Sequence, residues 1–344
     1  MKVQMVTVRI IQHNMKATAI AHPNIAFTKY WGNKDNGKNI PFHNSISMNL
    51  SDCWTKTTVE FSKEYSADIV FVDYDFVRNN GDAKNPYRIL DDVRKIANFD
   101  YKAKVVSENN FPKGAGIASS ASGAAALALA ASKAAGIEMK EVDLSRLARL
   151  FSGSGSRSVP EGFVEWEAGY SDETSYAKSI ADASHWELLD IVAIVAANEK
   201  KVGSSLGHGL AQTSPLFNSR LVGMENKNNL VRKAILEKDL KTLGEICEED
   251  CLSMHAVMIT SKPSLRYWTE GTLKLMDAVE SWRHENIEAY FTIDAGPNVH
   301  ILTLPEYKNS VIDKLDSLVN KKYVKNYIIN KAGGPAKLTD EHLF

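Results

Sequence analysis

The chain has 344 residues, long enough for two domains or one large one and for a sizeable core. Its 41 Lys and Arg stand against 42 Asp and Glu, and a formal charge of −1 argues against broad electrostatic binding to nucleic acid or anionic membranes. A small anionic ligand stays open, because it needs only a few cations in one pocket.

The three cysteines, Cys53, Cys247 and Cys251, form no disulfide framework and no CxxC metal pair. Cys247 and Cys251 lie four apart and are expected as small buried residues on one helix face. A reducing cytoplasm fits this usage. The longest uncharged stretch, between Lys113 and Lys133, is filled with Gly, Ser and Ala rather than the large apolar residues a bilayer demands. Residues 1–14 lack the apolar core and cleavage site of a signal peptide and read as an extension before a fold that opens at Met15.

Strands are expected at residues 16–27, 55–62, 67–75, 102–109, 188–197, 289–296, 299–304 and 324–332, all rich in β-branched or aromatic residues. Helices are expected at 85–99, 119–136, 143–153, 229–259, 264–285 and 310–320. Pro86 near the start of the first and the Ala and Leu content of the second support them. Strands interspersed with helices, then a helix-rich stretch returning to strands, suggest an α+β fold of two lobes. A boundary near residue 190 is expected.

Four stretches carry chemistry. The run Pro112-Lys-Gly-Ala-Gly-Ile-Ala-Ser-Ser-Ala-Ser-Gly123 follows a strand and opens an Ala-rich helix. Gly114 and Gly116 let backbone N–H groups approach an anion, Ser119, Ser120 and Ser122 add hydroxyls, and the helix N-terminus adds partial positive charge. This is a phosphate cradle without the Gly-Lys-Ser/Thr of a Walker loop. Ser152-Gly-Ser-Gly-Ser-Arg-Ser158 offers small donors at Ser152, Ser154 and Ser156 and one guanidinium, Arg157, able to grip a carboxylate through two hydrogen bonds, or else a solvated surface loop. Asp294 ends an apolar strand before Gly-Pro, a place for a general base, a metal ligand or a plain turn hydrogen bond. Lys29 lies in the mostly apolar run from Asn24 to Trp31, where a buried lysine needs a partner or a changed protonation state. Lys34 and Lys38 read as exposed loop charges.

Taken together, these stretches resemble the mevalonate diphosphate decarboxylases, within the superfamily of galactose, homoserine, mevalonate and phosphomevalonate (GHMP) kinases. NIAFTKYWGNKD, NNFPKGAGIASSASG, GSGSRS followed by GFVEW, and IDAGPN match the family's motifs in order. HWELLDIVAIVAANEKKVGSS, TSPLF, MHAVMI and KAGGP fall between and after them, so the resemblance covers nearly the whole chain from Met15. It implies a two-lobed GHMP-kinase-like fold with the active site in the cleft between lobes. Residues 15–190 would form the ATP-binding domain and 191–344 the second. ATP would phosphorylate the tertiary 3-hydroxyl of a mevalonate derivative, and phosphate would then leave as the carboxylate is lost as CO2. By resemblance, Asp294 orients or deprotonates the hydroxyl, Arg157 holds the carboxylate, and Lys29 neutralises charge between Asp294 and the transferring phosphoryl group. Pro112, Gly114, Gly116, Ser119, Ser120 and Ser122 would bind the ATP phosphates with Mg2+, Ser119 on the metal, and Ser204 and Ser205 would face them. Tyr30, Trp31, Arg88 and Lys34 would serve the substrate and its 5-phosphate. A cytoplasmic homodimer is the family expectation.

Two departures stand out. Asn33 replaces a lysine of the usual Lys-Tyr-Trp-Gly-Lys-Arg that the family uses on the 5-diphosphate, which leans towards mevalonate 5-phosphate as substrate and isopentenyl phosphate as product. Pro160-Glu161 stands where the family commonly has Phe-Gly or Gly-Gly. Competing readings are a diphosphate enzyme, an ATP-independent 3,5-bisphosphate decarboxylase, a 3-kinase and a non-catalytic ligand sensor. The presence of Lys29, Arg157 and Asp294 together disfavours the last two, and the phosphate loop disfavours the ATP-independent enzyme.

Overall fold

The computed structural model describes residues 15–79, 85–111, 119–195 and 203–344. Strands Lys16–Ala21, Thr55–Ser62 and Lys102–Asn109 form where small and β-branched residues predominate, and they pair side by side. They are the centre of a six-stranded sheet completed by Lys337–Thr339 on one edge and by Ile69–Val72 and Asp75–Phe76 on the other. Only the pairing of Ile69–Val72 with Lys102–Asn109 is parallel among the described residues. The expected strand 16–27 is interrupted by His22-Pro23. Its second piece, Asn24–Ala26, moves to another four-stranded sheet beside Ser45–Asn49, Phe163–Trp166 and Ala177–Ala181. Proline has no N–H for the first ladder, so the chain changes sheets there.

Helix Ser119–Ala134 lies on the large sheet. Its alanines permit a close approach, and Ala124, Ala125, Leu127 and Ala128 join Val59, Phe61 and Val105 in one core. Helix Pro86–Ala97 is capped by the Asn85 side chain, starts on Pro86 and stops at Asn98, whose φ of 56° ends it. The single helix expected at 229–259 is two, Met224–Glu237 and Leu240–Thr260. Lys238 takes a left-handed turn, and the Asp239 side chain then caps the second helix at Thr242 N–H. Helix Glu270–Arg283 begins later than expected, at a capping box formed by Thr269 and Thr272. A third sheet orders Ala289–Thr292, Val299–Thr303, Leu189–Ile194 and Asn326–Asn330, with Ile191, Phe291 and Ile301 packed against Leu275, Val279 and Trp282.

The chain's last residues return to the first sheet. His342 Nδ1 lies 2.6 Å from Thr18 Oγ1, and Leu343 N–H donates to Thr58 Oγ1 at 2.9 Å. The Phe344 ring sits under two ammonium groups, Lys16 at 4.4 Å and Lys104 at 4.1 Å. Phe344→Ala is expected to lower stability by about 1 kcal/mol, read as a shifted urea midpoint at constant slope.

Candidate active site

The third sheet delivers Asp294 to its position. Strand Ala289–Thr292 ends, and Gly296 N–H turns back onto the Asp294 carbonyl at 2.7 Å. Lys29 comes from the irregular stretch after Asn24–Ala26. Its Nζ donates to Asp294 Oδ1 at 2.6 Å, with the Lys29 side chain 1% exposed and that of Asp294 25%. Burial pushes the Asp294 carboxyl up, but the Lys29 ammonium, aided by His300 and Arg157, outweighs it, and the net direction is down. Asp294 is therefore ionised at neutral pH.

Arg157 belongs to the 3-10 segment Gly153–Ser158. That segment packs tightly enough against the alanine-rich helix that a Cβ on Gly155 would stand 2.7 Å from Ala124 Cβ, so only glycine fits. Arg157 is buried. Its Nε donates to Asn24 Oδ1 at 3.1 Å, one terminal nitrogen to Ser45 Oγ at 2.6 Å, and its guanidinium lies 5.8 Å over the Trp166 ring. Among the described residues no carboxylate pairs with it. Burial lowers its pKa to about 10, Asp294 and Tyr30 opposing, so it remains a cation at neutral pH.

Lys29, Arg157 and Asp294 line one cavity of about 670 Å³ together with Tyr30, Trp31, Ser119, Ser120, Ser154 and Ser204. Ser119 and Ser120 also line a second, more apolar cavity of about 1060 Å³ walled by Val70, Val72, Val105 and Leu127. A small recess adjoins the first cavity and includes Ser152, Gly153 and Tyr30. Ser120 Oγ lies 3.2 Å from Ser152 Oγ, joining the helix start to the Gly/Ser segment. The arrangement can hold a carboxylate on Arg157, ionise a base beside a hydroxyl, and place phosphates between two cavities at a helix start.

Other expected residues stand elsewhere. Asn33 is buried behind Tyr30: its Oδ1 accepts from the phenol, and its Nδ2 donates to Asn36 at 3.2 Å. It lines none of these cavities. Lys34 is exposed, as is Lys38. Arg88 donates to the Gly37 carbonyl and faces Asp92 at 3.9 Å. Ser122 bonds Thr55 Oγ1 at 2.6 Å, and Ser156 turns back onto the Gly153 carbonyl at 2.8 Å. Pro112, Gly114, Gly116 and the Ser205 side chain lie outside the described residues. At the second departure, the Pro160 carbonyl accepts from Asn49 at 2.7 Å, and Gly162, with φ of 70°, turns the chain into strand Phe163–Trp166.

Sequence reasoning missed His208 and Met254, both lining the cavity. His208 Nδ1 accepts Gly32 N–H at 3.0 Å, and its ring stacks on Tyr30 with centroids 4.0 Å apart. Its one sequence signal is a histidine between two glycines, Gly207 and Gly209, one residue beyond Ser204-Ser205. Asn24 was in view, but nothing local marks it as the acceptor that aims Arg157.

Residues 21–177 match the family model described as the diphosphomevalonate decarboxylase-like N-terminal domain, and residues 190–341 match that of the mevalonate 5-diphosphate decarboxylase C-terminal domain. The phosphomevalonate decarboxylase of Haloferax volcanii is 32% identical over 95% of this chain and 98% of its own. The crystal structure of mevalonate diphosphate decarboxylase from Staphylococcus aureus superposes with a TM-score of 0.88 at 37% identity, covering 96% of this chain and all of that one, 100%. MDDEF, solved in complex with MVAPP, AMPPCP and magnesium, gives 0.87 at 37% identity over 95% of this chain and 99% of its own. With both family models covering successive parts of the chain, and relatives aligned along nearly its whole length, the chain belongs to the mevalonate diphosphate decarboxylase family of the GHMP kinase superfamily and is a decarboxylase enzyme.

Proposed function

We propose that the chain phosphorylates the 3-hydroxyl of mevalonate 5-phosphate with ATP and then expels that phosphate with CO2, giving isopentenyl phosphate. The observation that carries this reading is the cavity itself: an ionised Asp294 held by Lys29 at 2.6 Å, beside a buried Arg157 with no carboxylate partner among the described residues. In the first step Asp294 accepts the hydroxyl proton as the oxygen takes the γ-phosphoryl group, and ADP leaves. Lys29 holds that carboxylate in place and offsets the charge of the incoming phosphoryl group. In the second step the C–O bond to the new phosphate breaks and the C–C bond to the carboxylate supplies its electrons to the alkene. Arg157 orients the carboxylate for that departure.

The nucleoside fits the apolar cavity and the triphosphate its junction with the reactive one, at Ser119 and Ser120. Among the described residues no group of three or more His, Cys, Asp or Glu could hold a metal. That donor set suits Mg2+ carried mainly by phosphate oxygens, with the Ser119 hydroxyl as its protein ligand; the ion would neutralise phosphate charge. The MDDEF complex with an ATP analogue and magnesium supports the same pairing.

The preference for a monophosphate rests on charge. Among the described residues the cations lining the reactive cavity are Lys29 and Arg157, and both have assigned work. Asn33, in place of the family's lysine, spends its amide on Tyr30 and Asn36. The Haloferax volcanii relative is a phosphomevalonate decarboxylase. Measured kcat/KM should favour mevalonate 5-phosphate over the 5-diphosphate by about tenfold or more, the worth of one charged hydrogen bond. A reversed preference would assign the chain to the diphosphate reaction named in the family models and in the Staphylococcus aureus structure. CO2 release without ATP, or ATP use without CO2, would instead indicate a bisphosphate decarboxylase or a 3-kinase.

A further inference from the structure

The main chain around the reactive pair has few sheet partners of its own, and one helix supplies the missing ones. Lys29 N–H donates to Asp250 Oδ2 at 2.7 Å, and the Lys29 carbonyl accepts from Arg220 at 3.0 Å. Arg220 and Asp250 form a bidentate pair at 2.9 Å on both arms, and both side chains are buried. The next residue on the helix, Cys251, serves the other half. Its thiol donates to the Ile293 carbonyl at 3.4 Å and accepts Ile293 N–H at 3.2 Å. Ile293 immediately precedes Asp294.

We propose that Asp250 and Cys251 are positioning residues that set the separation and aim of Lys29 and Asp294. Consecutive helix positions point about 100° apart with a rise of 1.5 Å, so a single turn of Leu240–Thr260 reaches both segments and fixes the distance between them. The two backbone segments are 265 residues apart in sequence and follow strands of different sheets. The Arg220–Asp250 pair lies outside the reactive cavity's lining; with Lys227 3.3 Å from Asp250 Oδ1, it holds backbone groups of Lys29 that would otherwise be buried without partners. Burial pushes the Cys251 thiol up to about 12, which keeps its proton available to the Ile293 carbonyl. Met254, one turn on, reaches the cavity wall and ties the same helix to the substrate space.

The catalytic part of the test rests on the proposed decarboxylation; the second part does not. Cys251→Val fills the space without hydrogen bonds, Cys251→Ala leaves both bonds unmade, and Cys251→Ser keeps a donor and an acceptor. With the fold intact by circular dichroism, kcat should fall about tenfold or more in the Val and Ala variants while KM for both substrates stays near wild type, because ångström-scale misplacement costs turnover rather than binding. The Ser variant should recover most of the loss. Independently of turnover, the Asp294 carboxyl, followed by carbon-13 NMR and assigned with Asp294→Asn, should titrate at higher pH in the Val and Ala variants, since weaker contact with Lys29 leaves burial less opposed. Wild-type kcat together with an unmoved Asp294 titration in a folded Val or Ala variant would overturn the proposal. If the wild-type chain releases no CO2, the titration decides it alone.

Discussion

Asp294→Asn is expected to lower kcat by about 10²- to 10⁴-fold, the usual contribution of a positioned general base. The amide is nearly isosteric and occupies the same strand end, but it cannot take the hydroxyl proton. It also leaves the Lys29 ammonium, 1% exposed, without its counter-charge. Breaking a buried pair by removing one partner costs about 3 kcal/mol or more, so the variant should also melt at lower temperature. Lys29→Met separates the two roles. In the wild type, burial raises the Asp294 pKa, and Lys29, aided by His300 and Arg157, lowers it by more. Without Lys29 the burial contribution prevails. The protonated, inactive carboxyl then appears at mildly acidic pH, and the acid limb of the kcat profile moves to higher pH. An acid limb unchanged in Lys29→Met would contradict the coupling of the two groups.

Arg157→Gln should divide the reaction. The proposed first step needs the hydroxyl, Asp294, Lys29 and the nucleotide. The second needs the carboxylate held in the plane from which CO2 departs. Arg157 is buried, held by Asn24 and Ser45 and paired with no carboxylate among the described residues, and in the proposed reaction its remaining donors serve the substrate carboxylate. Losing one preorganised charged donor costs about 10²- to 10³-fold at the step it serves. CO2 release in single turnover should fall by that factor, ATP cleavage by far less, and the 3-phosphorylated intermediate should accumulate. Equal losses of both steps would show that Arg157 serves binding or folding rather than the departure of CO2.

Which residues line the candidate cavity was largely legible before the fold, whereas how they are held was not. Lys29, Arg157 and Asp294 were visible because each breaks a local rule: a lysine in an apolar run, an arginine among small residues, an aspartate at a strand end. The strands Thr55–Ser62 and Lys102–Asn109 and the helices Pro86–Ala97 and Ser119–Ala134 were visible for a related reason, since alternation, capping and helix propensity act within a few residues. The break at Lys238 escaped notice because Asp239 reads as one more polar position until its side chain is seen on Thr242 N–H. Strand Lys337–Thr339 has three residues, too few for any period, and exists because Lys16–Ala21 offers it an edge.

Sequence order puts Asn33, Lys34 and Arg88 in the same frame as Lys29, yet Asn33 lies behind Tyr30, Lys34 faces solvent and Arg88 holds the Gly37 carbonyl. Cys251, expected as a small buried helix residue, is buried, and it also holds both backbone groups of Ile293. The amino-acid sequence alone determined the family, most of the local elements and the candidate reactive residues, because those signals reside in short runs of neighbours. Only the tertiary structure decided which charges face the cavity and which backbone groups Arg220, Asp250 and Cys251 hold. Those choices depend on buried polar groups finding partners more than 40 residues away in sequence, and no local pattern encodes that pairing.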